Sequence, residues 1–173
     1  MEEVKRIIRE ARIDDAKNLL AYLQKVGSES ENLTFDAKGI PFTLEQEREY
    51  LDRRMCSENN ITLLALEGEK IIGSLGIDTP SFDRLSHRGE MGISVLKECW
   101  SQGVGSALLE ALLSWIHECP TGLRKIEITV REDNERALAL YKKFGFKEEG
   151  KISRLVVIDN TFYDGITMGL LLG

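Results

Sequence analysis

Three neighbouring stretches decide the fold: EMGISVL at 90–96, SQGVGSALLEALLSWIHE at 101–118 and LRKIEITV at 123–130. The first is a short apolar run with strand character. In the second, Val104, Leu108, Ala111, Leu112 and Trp115 recur at helical spacing, and in the third apolar and polar residues alternate as in a half-buried strand. A helix this close between two strands predicts a right-handed crossover that leaves the strands parallel.

Upstream, 4–9 (VKRIIR) reads as a first strand. Asp14 and Asp15 then open a helix with Ala16, Leu19, Leu20, Leu23 and Val26 on one face, and Gly27 is its expected stop. Residues 27–42 are polar and turn-rich, a surface loop. Thr43-Leu44-Glu45-Gln46 is a capping-box pattern that starts a second helix reaching about 57. ITLLALEGEKIIGSLGI at 61–77 is a hairpin turning at Glu67-Gly68-Glu69. Past the crossover, 134–144 is a short helix ending at Gly145, and 146–158 with 162–172 form a second hairpin around Asp159-Asn160. The order β α α β β β α β α β β makes the chain an α/β (α+β) protein. Its sheet is mixed and mostly antiparallel, with one central βαβ crossover, and the whole of 1–173 reads as one domain.

Composition narrows the function. The chain has 173 residues, 42% hydrophobic and 30% charged, long enough to bury roughly two-thirds of its surface without metal or disulfide help. No apolar run approaches the roughly 18 residues a membrane span needs. Residues 1–10 are charged throughout, which is unlike a secretory signal. A formal charge of −6 argues against a nucleic-acid partner, whose binders show a basic excess. Cys56, Cys99 and Cys119 form no CxxC, and His87 and His117 have no ligand spacing. Neither a disulfide framework nor a structural metal site is expected, and the setting reads as reduced and cytoplasmic.

Two segments carry chemistry. In WSQGVGSALL (100–109), two glycines one residue apart stand where a strand gives way to a helix. Such a turn exposes its amides beside the positive end of the helix dipole, a natural anion site; a plain strand-to-helix turn is the other reading. Leu108 occupies the place of the third glycine of a dinucleotide fingerprint, and the Gly-Lys-Ser/Thr of a P-loop is missing. In NERALALYKKFGF (134–146), Asn134 is a helix N-cap candidate. Tyr141 shares a face with Ala137, Leu140 and Phe144, which by pattern alone is a core position.

Taken together, Gln-Gly-Val-Gly-Ser-Ala-Leu-Leu (102–109) and Asn-x-x-Ala-x-x-Leu-Tyr-x-x-x-Gly-Phe (134–146) resemble the GCN5-related N-acetyltransferase (GNAT) family. The element order agrees over essentially the whole chain. The C-terminal part looks like the bacterial branch of ribosomal-protein and small-amine acetyltransferases. The resemblance implies an acyl-CoA N-acyltransferase fold with acetyl-CoA as cosubstrate and no metal. Its acceptor would be a small-molecule amine or a protein N-terminus. By the same resemblance, the backbone amides of Ser101, Gln102, Gly103, Val104, Gly105 and Ser106 would hold the pyrophosphate. The strand edge at Ile93, Ser94 and Val95 would pair with the pantetheine arm, Asn134 would contact the cosubstrate, and Tyr141 would lie near its sulfur. The family usually carries Gln or Arg where this chain has Trp100, so the amides would bind without that side chain.

Glu90 matches the position of a glutamate base in related amine acetyltransferases; its bland alternative is a solvated carboxylate paired with Arg88. His87 is the second candidate base. Cys99 reads as a lining thiol and not a nucleophile, since no histidine neighbours it in sequence. The amide of Val95 or Leu96 would face the thioester oxygen. A non-catalytic acyl-CoA-binding or sensor module would keep the glycine turn but need neither Glu90 nor Tyr141. The acceptor pocket is expected from loop 27–42, with Glu29, Glu31 and Asp36, and from the helix at 43–57. MGLLL at 168–172 offers a strand for pairing between subunits of a homodimer.

Overall fold

The computed structural model describes residues 5–173. Its elements follow the expected order: β1 (Arg6–Glu10), α1 (Ala16–Glu29), α2 (Leu44–Met55), β2 (Ile61–Glu67), β3 (Lys70–Asp78), β4 (Arg88–Val95), α3 (Val104–Glu118), β5 (Lys125–Arg131), α4 (Glu135–Lys143), β6 (Lys147–Ile158) and β7 (Thr161–Leu171). Seven strands are ordered β1-β2-β3-β4-β5-β7-β6. The β4–β5 pair is parallel, as the crossover requires, and the β1–β2, β2–β3, β5–β7 and β6–β7 pairs are antiparallel. Val4, placed in the first strand by its sequence, lies outside the described residues.

Two compact units divide the chain. The first runs up to Ile77 and includes Gly92–Thr121; the second joins Asp78–Met91 to Gly122–Gly173. In the first, β2 is buried from Ile61 to Leu66, and Ile72, Leu75 and Ile77 of β3 are fully enclosed with Leu108, Leu109 and Leu112 of α3. Each such side chain contributes about 1.5–3 kcal/mol by leaving water. In the second unit, the alternation of β5 buries Ile126, Ile128 and Val130, and Tyr141, Phe146 and Met168 are buried as well.

Gly27 does not stop α1. The helix continues to Glu29, and a Cβ at Gly27 would stand 2.2 Å from the Asp36 carbonyl oxygen. The glycine is there because the following loop packs directly against the helix. On the inner face of α1 the buried aromatic is Tyr22, while Leu20 and Leu23 are half-buried. Thr43 and Gln46 form the capping box on α2. Asp159 and Asn160, both at positive φ, make the tight turn between β6 and β7. β7 lies between two neighbours. It pairs with β5 from Gly165 to Leu171 and with β6 from Thr161 to Gly169, so Met168 and Gly169, at the start of the run expected to pair between subunits, already have both edges engaged.

Candidate active site

In the first unit, β4 leads through a single 3-10 turn, Lys97–Cys99, to the exposed residues Ser101, Gln102 and Gly103 and then to α3. The strand is braced from the side of α1. The Tyr22 hydroxyl and Ser94 Oγ are hydrogen-bonded at 3.0 Å, and the Lys97 amide donates to Glu29 Oε2 at 2.9 Å. Glu29, expected to line an acceptor pocket, is thus occupied with fastening the turn after β4. Burial pushes its carboxyl up, but the Lys97 amide and Lys25 outweigh this and hold it below the usual carboxylate range.

Ile93, Ser94 and Val95 are half-buried. The β4–β5 ladder records Arg88, Gly89 and Glu90 against Lys125, Ile126 and Glu127, and no partner on β5 is recorded for 93–95 among the described residues. Trp100, known from the sequence only as a missing phosphate ligand, has a constructive role: its indole N–H donates to the Val95 carbonyl at 2.8 Å. Of the two amides considered for the thioester oxygen, that of Leu96 donates to the Ile72 carbonyl at 2.9 Å. A group already engaged in this way is a poor oxyanion donor, which leaves Val95. Cys99 is buried, and burial pushes its thiol up, the opposite of what a nucleophilic cysteine needs.

The start of α3 differs from those of α2 and α4. α2 opens with a closed capping box and Glu45 and Glu47 in its first turn; α4 opens with Asn134 Oδ1 accepting from the Ala137 amide. α3 has neither device: Gly103, at φ 81°, caps without a side chain, and no acidic residue stands in the first turn. Ser101 also sits in the left-handed region, at φ 58°, an arrangement that costs of order 1 kcal/mol for a residue with a Cβ. A Cβ built on Gly103 meets nothing within 4 Å. The first amides of this helix, at its positive end, have no side-chain cap among the described residues, and the Cβ side of Gly103 is open.

The second unit holds the other candidates. Glu90 is exposed on β4. Arg88, its expected partner, instead binds Glu127 at 2.6 Å, and Lys125 reaches the same carboxylate at 2.8 Å. Although burial raises it, the Glu127 carboxyl is held below its usual range by these two cations. His87 is exposed, and its carbonyl accepts from the amides of Arg124 and Lys125. Asn134 is an N-cap, with Oδ1 at 3.3 Å from the Ala137 nitrogen; its amide NH2 is left to donate elsewhere.

Tyr141 is only 3% exposed and packs its ring against Phe146, centroids 5.6 Å apart. Its hydroxyl has no recorded partner among the described residues. Burial pushes the phenol well above its ordinary range, so it stays protonated and able to donate a hydrogen bond. Among the described residues, no group of three or more His, Cys, Asp or Glu is placed to hold a metal ion, and no helix is long and apolar enough to cross a membrane.

The sequence missed Tyr22 and Arg54 and the hydrogen bond that Trp100 makes. Tyr22 could have been found at the i+3 position from Leu19, four before Val26. Arg54 is 4% exposed on α2; it donates to the Ile61 and Ile77 carbonyls and to the Tyr50 hydroxyl. A helix-end arginine carries no sequence mark of burial.

Comparison with known proteins places the chain in a family. Residues 29–146 match the model of the acetyltransferase (GNAT) family. The L-amino acid N-acetyltransferase AaaT of Escherichia coli is 34% identical over 108 residues, which span 61% of this chain and 65% of that protein, under two thirds of its length. A solved GNAT-family acetyltransferase from Streptococcus pneumoniae is 36% identical, with 97% of this chain and 100% of that one covered and a TM-score of 0.93. The yncA protein of Salmonella typhimurium, solved with its cofactor acetyl-CoA, shares the fold at 18% identity, with 97% and 94% covered and a TM-score of 0.83. With the family model spanning the crossover, its glycine turn and α4, the chain belongs to the GNAT acetyltransferase family.

Proposed function

We propose that the chain is an acetyl-CoA-dependent N-acetyltransferase that transfers the acetyl group directly to a primary amine. The observation that carries this is the start of α3, which among the described residues has no side-chain cap, no acid in its first turn and open space on the Cβ side of Gly103. α2 and α4 cap their N-termini with their own side chains and α1 follows directly on the 3-10 turn Ile13–Asp15, whereas α3 starts at a bare glycine turn, a start that suits an anion. The diphosphate of CoA fits that donor set.

The cosubstrate supplies an activated thioester, and the residues of this chain do the rest. Amides of Ser101, Gln102, Gly103, Val104, Gly105 and Ser106 hold the diphosphate. The backbone edge at Ile93, Ser94 and Val95 aligns the pantetheine arm as an added strand, with the Val95 carbonyl already shared with Trp100. The Val95 amide faces the carbonyl oxygen as negative charge develops there, and Asn134 donates its free NH2 to the cosubstrate. Glu90 takes the amine proton, directly or through a water. The carbon–sulfur bond breaks as the carbon–nitrogen bond forms, and Tyr141 donates a hydrogen bond to the departing sulfur. Because burial raises the Tyr141 phenol, stabilisation by that bond is favoured over full proton transfer to a thiolate whose conjugate pKa is about 8.5.

The acceptor class follows from the cost of deprotonation. An alkylamine with a pKa near 10.4 costs about 5 kcal/mol to neutralise at pH 7, whereas an α-amino group near 8 costs about 1.4 kcal/mol. An α-amino acceptor is the easier substrate, which agrees with the name of the E. coli relative, an L-amino acid N-acetyltransferase. A thiol-release screen with acetyl-CoA tests the reading. Its panel holds free amino acids, N-terminal peptides, polyamines and aminoglycosides, repeated with Glu90→Gln and Tyr141→Phe. Turnover that both variants reduce supports the assignments, and unchanged turnover in both removes them. CoA binding with no turnover on any amine would replace the enzyme with a binding module.

A further inference from the structure

The turn before α3 is held by a residue far away in sequence. Arg6, on β1, donates from Nη1 to the Gln102 backbone carbonyl at 3.2 Å and from Nη2 to Gln102 Oε1 at 2.5 Å. Its Nε is bound by Glu67 of β2 at 2.7 Å. The other end of the Gln102 amide donates to the Glu98 carbonyl at 2.7 Å, so both ends of this side chain are held within the protein. Glu98 is in turn paired with Lys70 of β3.

These contacts fix more than a side chain. A trans peptide is planar, and its C=O and N–H point in opposite directions. A guanidinium that grips the Gln102 carbonyl therefore aims the Gly103 N–H the other way. Gly103 meets nothing within 4 Å on its Cβ side. We infer that Arg6 is a positioning residue for diphosphate binding: it turns the 102–103 peptide so that its amide faces the anion. This inference rests on the acetyl-CoA reading above and assigns a cause for the aim of its phosphate site. Arg6 is itself partly exposed, with its side chain at 38%, so its contribution to folding is small and its effect is directional.

The test compares donors with and without a diphosphate. Arg6→Ala, Arg6→Lys and Gln102→Ala are assayed for CoA binding by calorimetry, and for transfer from acetyl-CoA and from acetyl-pantetheine, which has the same arm and no diphosphate. Arg48→Ala on α2 removes an equal charge away from the turn. Losing the brace should weaken CoA on the order of tenfold, since a misaimed amide loses a charge-assisted hydrogen bond. KM for acetyl-CoA should rise by the same factor with kcat held, and acetyl-pantetheine should be used as well as before. Arg6→Lys should recover part of the loss, because one ammonium reaches one carbonyl but not both oxygens. Gln102→Ala leaves the Arg6–Glu67 pair in place and keeps the test open if Arg6→Ala folds poorly.

CoA affinity of Arg6→Ala within twofold of wild type overturns the inference, as does an equal loss with both donors. A wild-type chain that binds no CoA would overturn the acetyltransferase reading together with this one; wild-type binding with an indifferent Arg6 overturns this one alone.

Discussion

Gly103→Ala separates the turn's conformation from its ligand. Gly103 sits at φ 81°, and an added Cβ would meet no atom within 4 Å. No clash is created, so the cost to folding is that of a non-glycine residue in the left-handed region, about 1–2 kcal/mol. For a chain of this size that lowers Tm by about 2–8 °C. Binding should suffer more, because the methyl group enters the space where amides would approach a phosphate oxygen at about 2.9 Å. Losing one or two hydrogen bonds to a charged group, at about 1.5–3 kcal/mol each, weakens CoA by at least tenfold and on the order of a hundredfold. The protein supplies its own control: Gly68, in the β2–β3 turn, has φ 59° and likewise nothing within 4 Å. Gly68→Ala should lose comparable stability and keep its CoA affinity. Scanning calorimetry of the free proteins and titration calorimetry with CoA measure the two effects. Equal CoA affinity in the two variants would refute the reasoning.

Other outcomes follow from buried charge. Arg54→Ala should cost about 3–5 kcal/mol in urea denaturation, because the Ile61 and Ile77 carbonyls lose their donor and Glu47 stays buried without the nearby cation. Glu47→Gln should be neutral or stabilising at pH 7, since burial raises this carboxyl and Glu47 Oε2 has no hydrogen-bond partner among the described residues; a loss above about 1 kcal/mol would contradict this. Asp15 is held below the usual carboxylate range by its hydrogen bonds to Arg9, with the Arg12 amide assisting. Its contribution is therefore present above the unfolded value and lost as pH falls through the folded one, and Asp15→Asn should flatten the acid limb of a stability–pH curve between about pH 5 and 2. The Tyr141 phenol is raised by burial, so its contribution holds below about pH 10 and disappears as the solution becomes more alkaline. Tyr141→Phe should reduce that alkaline loss while cutting thiol release by roughly tenfold or more.

The element order, the crossover and the two family motifs were legible because each rests on local pattern: 3.6-residue spacing in α3, alternation in β5, and turn residues at Gly68 and Asp159-Asn160. Residue roles that depend on one contact were harder. Asn134 reads equally as a cap or a ligand contact from its position, and in the structure it caps α4 while keeping its NH2. Trp100 looked like an absent phosphate ligand, yet it ties the turn to Val95. Gly27 had the composition of a helix stop, and the approach of the Asp36 carbonyl, not chain direction, explains it.

By itself the sequence determined where strands and helices form and which turn exposes amides, because propensity, periodicity and backbone freedom act within a few residues. Only the tertiary structure decided which carbonyl Arg6 holds 96 residues away, which arginine is buried and which strand has a free edge. Those outcomes depend on which distant groups meet once apolar faces have packed, and no local pattern encodes that meeting.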